Sequence, residues 1–240
     1  MWYFTADLHL NHPNIIKYCK RPFMDPVESG LMSMVDSGSI PIHDVKISRE
    51  STESMTEYII SSINSCVGKS DTLVIVGDFC LLGSENRSEQ IGELRSRINC
   101  DNVFLVLGNH DDREASSIHM KCCDQYTFNI NGQYVFASHY PCRSWNKRNK
   151  GAWMLYGHVH GSMSSEDSLG VGTAELESIR KKFLSRFGNR DLVEEMLSDV
   201  VSCRTKLKTL DVGVDARDKS VRFGTPWSFE EIRQYMSKMS

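Results

Sequence analysis

Residues 102–111 read NVFLVLGNHD. Val103, Phe104, Leu105, Val106 and Leu107 form an unbroken apolar run. A run that short, with β-branched content, suits a strand buried on both faces. Gly108 ends it, and Asn109, His110 and Asp111 follow at once. A buried strand that empties into Asn-His-Asp sets an amide oxygen, an imidazole and a carboxylate at one rigid tip. The other chemistry-bearing residues are expected to converge on that tip.

The same grammar recurs on either side. Thr72 to Val76 is a second apolar run, closed by Gly77-Asp78. Asp78 has two oxygens at a strand tip, which suits a carboxylate bridging two cations; a turn aspartate is the plainer alternative. Between the two runs, Glu85 to Asn99 carries Ile91, Leu94 and Ile98 on one side, a helix returning to the next strand. This strand–helix–strand rhythm predicts α/β layering with crossover connections. Upstream, Met1 to Ala6 is a first strand that delivers Asp7 and His9 on the same side of an extended tip. His12-Pro13 then opens a short helix over Asn14 to Lys20, entered through proline. His12 and Arg21 are near enough along the chain to meet an anion beside Asp7 and His9; an N-cap neighbour and, favoured for Arg21, a solvated cation are the plainer alternatives. Ser29 to Ser48, with Gly30, Gly38 and Pro41, reads as a loop excursion. Ser51 to Val67 reads as a surface helix with Met55, Ile59, Ile60 and Ile63 on its core stripe and Ser51 or Thr52 as cap.

Downstream, Tyr126 to Ile130 and Tyr134 to Ala137 flank Asn131-Gly132, a two-residue hairpin signal. The second hairpin strand runs into Ser138-His139, and Trp153 to Tyr156 runs into Gly157-His158-Val159-His160. Cys142 to Gly151 carries Arg143, Lys147, Arg148, Lys150 and Trp145, either a solvated basic loop or one that steers an anion and stacks a base. Arg143, nearest to His139, is the substrate candidate among them. Ser164 to Lys208 reads as an insertion: apolar stripes on either side of Gly188-Asn189 predict a helical hairpin within a single domain spanning 1–240. Its cations, Arg180, Lys181, Lys182 and Arg186, read as a solvated face. Its apolar faces offer a surface for self-association. Leu210 to Asp215 and Val221 to Phe223 are closing strands. Ser228 with Glu231 opens a terminal helix through a capping box.

The totals narrow the class. A chain of 240 residues with 40% hydrophobic content can bury roughly three-quarters of its unfolded surface in one fold. A net charge of -3 argues against coating nucleic acid or anionic membrane, so a nucleic-acid partner is not favoured. No apolar run approaches the roughly 20 residues of a membrane span. No leader is visible, and eight cysteines without a CxxC pair suit reduced thiols in the cytoplasm better than a disulfide scaffold or a cysteine zinc site.

Oxygen from Asp7, Asp78 and Asn109 with nitrogen from His9, His139, His158 and His160 is a ligand set for Mn, Fe, Zn, Ni or Co. These seven groups are too many for one tetrahedral site and about right for two sites sharing Asp78. Asp7-Leu8-His9, Gly77-Asp78, Gly108-Asn109-His110-Asp111, His139 and Gly157-His158-Val159-His160, in that order, resemble the signature of the calcineurin-like metallophosphoesterases. Phe4 to Phe23 and Leu210 to Ile232 are more loosely similar to a small prokaryotic and phage-type subgroup. The resemblance implies a four-layer α-β-β-α sandwich of two mixed sheets, the site at the strand ends. It implies two divalent transition-metal ions, manganese first among the candidates. One takes Asp7, His9, Asp78 and His160, the other Asp78, Asn109, His139 and His158. Two such cations about 3.5–4 Å apart can hold a bridging water as hydroxide and clamp a phosphate during in-line attack. His110 is then left to protonate the leaving group, with Asp111 orienting its ring, and Asn109, His110, His12 and Arg143 are the groups that meet substrate. The implied substrate is a phosphodiester or phosphomonoester, a nucleotide among the candidates. A metal-dependent nuclease and a non-catalytic metal-binding scaffold are the alternatives.

Overall fold

The computed structural model describes every residue except 82, 84, 164–172, 203–207 and 240. Its first sheet has the order β4-β3-β2-β1-β9. The strands are β1 (Trp2–Thr5), β2 (Thr72–Val76), β3 (Asn102–Val106), β4 (Lys121–Cys123) and β9 (Trp227–Ser228). The first four are parallel, with Phe4 beside Val74 and Val74 beside Phe104, and β9 closes the edge antiparallel to β1. The second sheet has the order β5-β6-β7-β8. It is built from β5 (Gln125–Ile130), β6 (Gln133–Ser138), β7 (Trp153–Tyr156) and β8 (Thr209–Asp211). Its β5–β6 pair is the antiparallel hairpin and its other pairs are parallel. Both sheets are therefore mixed, as the family resemblance implies.

Period-2 alternation sorts the side chains into layers. Leu73, Ile75, Val103 and Leu105 face outward onto α3 (Arg49–Cys66) and α4 (Arg87–Ser96), where Met55, Ile59, Ile63, Ile91 and Leu94 wait. Val74, Val76 and Val106 face inward and meet Phe128, Val135, Ala137, Trp153 and Leu155 of the second sheet. On the far face of that sheet, Phe136, Met154 and Tyr156 pack on Trp145. Trp145 is buried and its Nε1 donates to the Ala152 carbonyl at 2.9 Å, so it seals the sheet and is no base-stacking platform.

The remaining helices are α1 (Pro13–Tyr18), α2 (Pro26–Asp36), α5 (Arg113–Ser117), α6 (Thr173–Phe187), α7 (Arg190–Ser202) and α8 (Phe229–Ser237). The last starts at a Ser228–Glu231 capping box. α6 and α7 meet across Gly188-Asn189, and Arg180 donates to Glu194 at 3.1 Å. The ends of the 164–208 insertion lie outside the described residues. No described helix is long and apolar enough to cross a membrane.

Three local expectations are corrected. Val221–Phe223 is irregular, and the edge strand lies at Trp227–Ser228 instead. The cap of α3 is Ser48, whose hydroxyl accepts from the Ser51 N–H, not Ser51 or Thr52. The Ser29–Ser48 stretch is largely ordered by α2, which begins at a capping box between Asp25 and Glu28 with Pro26 at its first position. Gly30 and Gly38 mask that signal in the sequence.

Glu28 does more than cap. It is buried, and it accepts from the Asp25 N–H at 2.9 Å, the Ser48 N–H at 2.6 Å and the Ser51 hydroxyl at 2.7 Å, joining the starts of two helices. Burial alone would raise its pKa, yet these donors prevail and hold the carboxyl below its ordinary value. Glu28→Ala is expected to cost about 2 kcal/mol in urea unfolding at pH 7. Because the folded carboxyl titrates lower than the unfolded one, that contribution is complete above the unfolded value of about 4.3 and is lost as pH falls below it. The gap between wild type and variant should therefore close in acid.

Candidate metal centre

Parallel strands in register align their C-terminal ends, and the polar residues that follow them gather there. Asp7 follows β1, Asp78 follows β2, Asn109 follows β3, His139 follows β6 and His158 follows β7. The backbone turns sharply at these points. Asp7, His9, Asp78, His158 and His160 all have positive φ, between 48° and 71°. Left-handed conformation costs roughly 1–2 kcal/mol at a non-glycine residue, and such strain concentrates at functional sites.

The turns bring together three groups whose ligand atoms lie within 4.8 Å of one another: Asp7, His9 and His160; Asp7, Asp78 and His139; His9, Asp78 and His110. Asp78 Oδ2 is 3.4 Å from both His9 Nε2 and His139 Nε2, and so stands between the two sides of the cluster. Asn109 Oδ1 is 3.1 Å from both His139 Nε2 and His158 Nδ1. All seven predicted ligands thus converge, although Asp7 and His158 are 151 positions apart, the His158 N–H donating to the Asp7 carboxylate.

The residues fit a cation. His9 is 2% exposed, yet neither of its ring nitrogens has a hydrogen-bond partner. An imidazole buried that completely is otherwise costly. Burial pushes the Asp7 carboxyl up to about 7, despite the neighbouring His160 and the His158 N–H, and pushes His9 down to about 3. Against burial, Asp78 and the Asp215 carboxylate act the other way on His139 and His160, raising them, the latter to about 10. A carboxyl that burial keeps from ionising and the neutral, unpartnered His9 ring beside it are donors that a divalent ion would recruit by displacing protons.

Surrounding groups decide which atoms face the cluster. His139 Nδ1 lies 3.0 Å from the Val76 carbonyl, leaving Nε2 for a ligand. His160 Nδ1 lies 2.8 Å from Asp215 Oδ2, with the same consequence. Asp215 is clamped in turn by Arg21, through Nε at 2.9 Å and Nη2 at 2.7 Å. Arg21 also donates to the Asp7 carbonyl at 2.7 Å and the Leu8 carbonyl at 2.9 Å. It is fully buried, neither the solvated cation nor the anion contact between which the sequence left it. Asp211 accepts from the N–H groups of Gly161 and Gly213 at 3.0 and 2.8 Å, fixing the His158–His160 turn. Asp211 and Asp215 had the signal that singled out Asp78, an acid after an apolar residue, but lay within the stretch read as a closing strand, Leu210 to Asp215. Cys19, His160 and Asp215 form a further group; there Asp215 is already satisfied by a guanidinium whose charge would repel a cation.

Asp111 is also corrected. Its carboxylate accepts from the N–H groups of Asp78 and Gly108 through Oδ2, at 2.9 and 2.8 Å, and of Phe79 through Oδ1, at 2.9 Å. It ties the tips of β2 and β3 together and does not hold the His110 ring. His110 is exposed at the mouth, its ring 5.1 Å from His9 and 5.8 Å from His12, and its N–H donates to Asp78 Oδ1 at 3.0 Å. His12 stands at the start of α1 without capping it, and its buried Nδ1 has no partner. Burial and the adjacent His110 lower it to about 4, so it is neutral near pH 7. Tyr140, unforeseen, packs on His158 at 4.5 Å and turns its hydroxyl to within 3.4 Å of Asn109 Oδ1. Arg143 is exposed on the loop beyond Tyr140, its carbonyl 3.3 Å from Arg148 Nη1; the ligand clusters do not include it.

Gly108 is irreplaceable for a steric reason. A Cβ there would lie 2.2 Å from Asp78 Oδ1 and 2.6 Å from the Asp78 nitrogen. Gly108→Ala must therefore displace Asp78, and is expected to weaken metal binding by about 10–100-fold in calorimetric titration.

The model of the calcineurin-like phosphoesterases matches residues 3–199. The uncharacterized protein MJ1445 of Methanocaldococcus jannaschii is 28% identical over 165 residues, 68% of this chain and 72% of that protein. A protein of unknown function from Aquifex aeolicus, AQ665, shares the fold at a TM-score of 0.54, with 17% identity and 98% coverage of both chains. YfcE, a phosphoesterase from E. coli, superposes at a TM-score of 0.30 with 17% identity, over 66% of this chain and 69% of its own. With strand-end carboxylates and imidazoles gathered as a divalent ion requires, and the match running through all five of its motifs, the chain belongs to the calcineurin-like phosphoesterases, a metal-dependent family.

Proposed function

We propose that this chain hydrolyses small phosphodiesters at a centre of two divalent cations, manganese first among them, and that nucleotides are among its substrates. The observation that carries this reading is the position of Asp78 Oδ2, 3.4 Å from a histidine on either side. One carboxylate oxygen flanked by two imidazoles is the arrangement of a shared ligand. Asp7, His9 and His160 would complete one side, and Asn109, His139 and His158 the other. Two bound cations supply an activated water and neutralise the charge that builds on phosphorus. The chain needs no serine or cysteine nucleophile. Asn109 and His110 stand exposed at the mouth, where a phosphate would rest. His110, held by its own N–H on Asp78, is placed to give a proton or a hydrogen bond to the departing oxygen. Tyr140 packs beside His139 and His158, and His12 beside His9 and His110.

The test is hydrolysis of bis-p-nitrophenyl phosphate against the monoester, with Mn²⁺ added stepwise and metal content measured in parallel. The diester should be the better substrate and activity should saturate at two ions per chain. Activity that survives chelation, or saturates at one ion, overturns the reading. In the same assay His110→Ala is expected to keep both ions and lose about 10²–10⁴-fold in kcat, the usual worth of general acid catalysis.

A further inference from the structure

A cavity of about 730 Å³ is lined by His160 but by none of the other six candidate ligands. It lies between the end of α1, the turn after His160 and the loop from Val214 to Phe223. His160 is common to this cavity and to the ligand cluster, so a molecule seated on the cluster can extend past that ring. The volume falls within the roughly 300–1,000 Å³ range of small-ligand pockets.

Its wall is basic. Lys20, Arg217, Lys219 and Arg222 line it. Of the two acids on the wall, Asp215 is consumed by Arg21 and His160, and Asp218 accepts from the Ser220 N–H. Arg222 is fixed by Ser61 and by the face of Tyr58, 4.8 Å away. Lys20 is held by Asp36, and Arg217 is braced by Glu231 and the Thr225 carbonyl while its buried Nε has no acceptor. Lys219 is exposed and, among the described residues, is in no ion pair. Tyr18 stands at the rim, 57% exposed, with the Lys17 ammonium 5.5 Å from its ring centre. Phe223 is already enclosed by Phe23 and the Arg21 guanidinium, each at 5.5 Å, and serves as floor. Positive charge beside an exposed aromatic suits an organic phosphate whose body stacks.

We propose that this cavity seats a second phosphate of the substrate. The preferred substrates are then phosphodiesters in which the arm beyond the scissile phosphate is itself a nucleotide carrying a phosphate. Lys219 and Arg222 meet that phosphate, and Tyr18 stacks on the base. This substrate class rests on the phosphodiesterase reading above; the binding site itself does not.

Two measurements separate the site from the activity. In the first, thymidine 3′,5′-bisphosphate is titrated calorimetrically into the EDTA-treated protein, against thymidine as the uncharged control. The bisphosphate should bind and thymidine should not. Lys219→Glu should weaken binding at least tenfold and Tyr18→Ala several-fold, in proteins whose melting temperatures match wild type. No binding, or binding that neither substitution alters, overturns the site. In the second, kcat/KM with Mn²⁺ is compared for dithymidine monophosphate with and without a terminal phosphate at either end. One phosphorylated form should be favoured at least tenfold, and Lys219→Glu should bring that ratio towards one. A ratio near one in wild type, with bis-p-nitrophenyl phosphate still cleaved, overturns the substrate class and leaves the phosphodiesterase reading standing. If bis-p-nitrophenyl phosphate is not cleaved, the phosphodiesterase reading and the substrate class fall together, and the metal-free titration alone decides whether the cavity binds an organic phosphate.

Discussion

Asp78→Asn is expected to lower metal content from two ions per chain to one or none and to reduce turnover of a diester by at least about 10³-fold, since metal loss removes several kcal/mol of charge stabilisation. The substitution keeps shape and volume but replaces a carboxylate oxygen with an amide. Either orientation of that amide fails. Pointing its nitrogen at His9 and His139 puts a donor where Asp78 Oδ2 now stands 3.4 Å from each ring. Pointing it the other way sets the donor against the His110 N–H, which donates to Oδ1 at 3.0 Å. The backbone at Asp78 should survive, because its N–H is held by Asp111 and not by its own side chain. Elemental analysis and calorimetric titration of Mn²⁺ check the stoichiometry, and melting in EDTA checks the fold. A variant with two ions and full activity would remove Asp78 from the bridging position and the two-cation centre with it.

The strand-end layout was readable because it is local: an apolar run stops, often at glycine, and a ligand-type side chain follows. Strands β1, β2, β3, β6 and β7 all carry that signal, which is why the three central strands of the first sheet, the hairpin and the strand-tip side chains could be expected, while the pairing of two sheets came from the family resemblance. β4 could not. Lys121–Cys123 is three residues long, too short to show a period. What stayed hidden depends on partners far away in sequence. Nothing near Arg21 announces Asp215, 194 positions later, so a buried structural cation looked like a solvated one or a phosphate contact. Asp111 misled for the opposite reason. Its neighbour His110 invited a catalytic pairing, but the N–H groups of Asp78, Phe79 and Gly108 must find acceptors once buried at the strand ends, and the Asp111 carboxylate is within reach of all three. Trp145 likewise reads as a surface aromatic in a basic loop until the outer face of the second sheet needs a cover.

The largest loss of stability is expected from Arg21→Met, about 3–5 kcal/mol in urea unfolding, because removing one partner leaves a buried charge uncompensated. Arg21 has no side-chain exposure and Asp215 only 7%. Without the guanidinium, Asp215 keeps the His160 ring as its partner, and the carbonyls of Asp7 and Leu8 lose their donors. The effect therefore reaches the centre along two routes: the peptide that carries Asp7, and the carboxylate that aims His160. The double variant Arg21→Met with Asp215→Leu separates charge from aim. Removing both charges should restore much of the stability, since an apolar pair of similar size avoids the cost of burying ions. It should not restore metal affinity, which is expected to stay about 10–100-fold below wild type because His160 has lost the acceptor that fixes its ring. Recovery of stability with metal affinity still impaired would show that the pair exists to orient a ligand. If the double variant binds Mn²⁺ as wild type does, Arg21 and Asp215 hold the fold alone, and the orientation of His160 has another source.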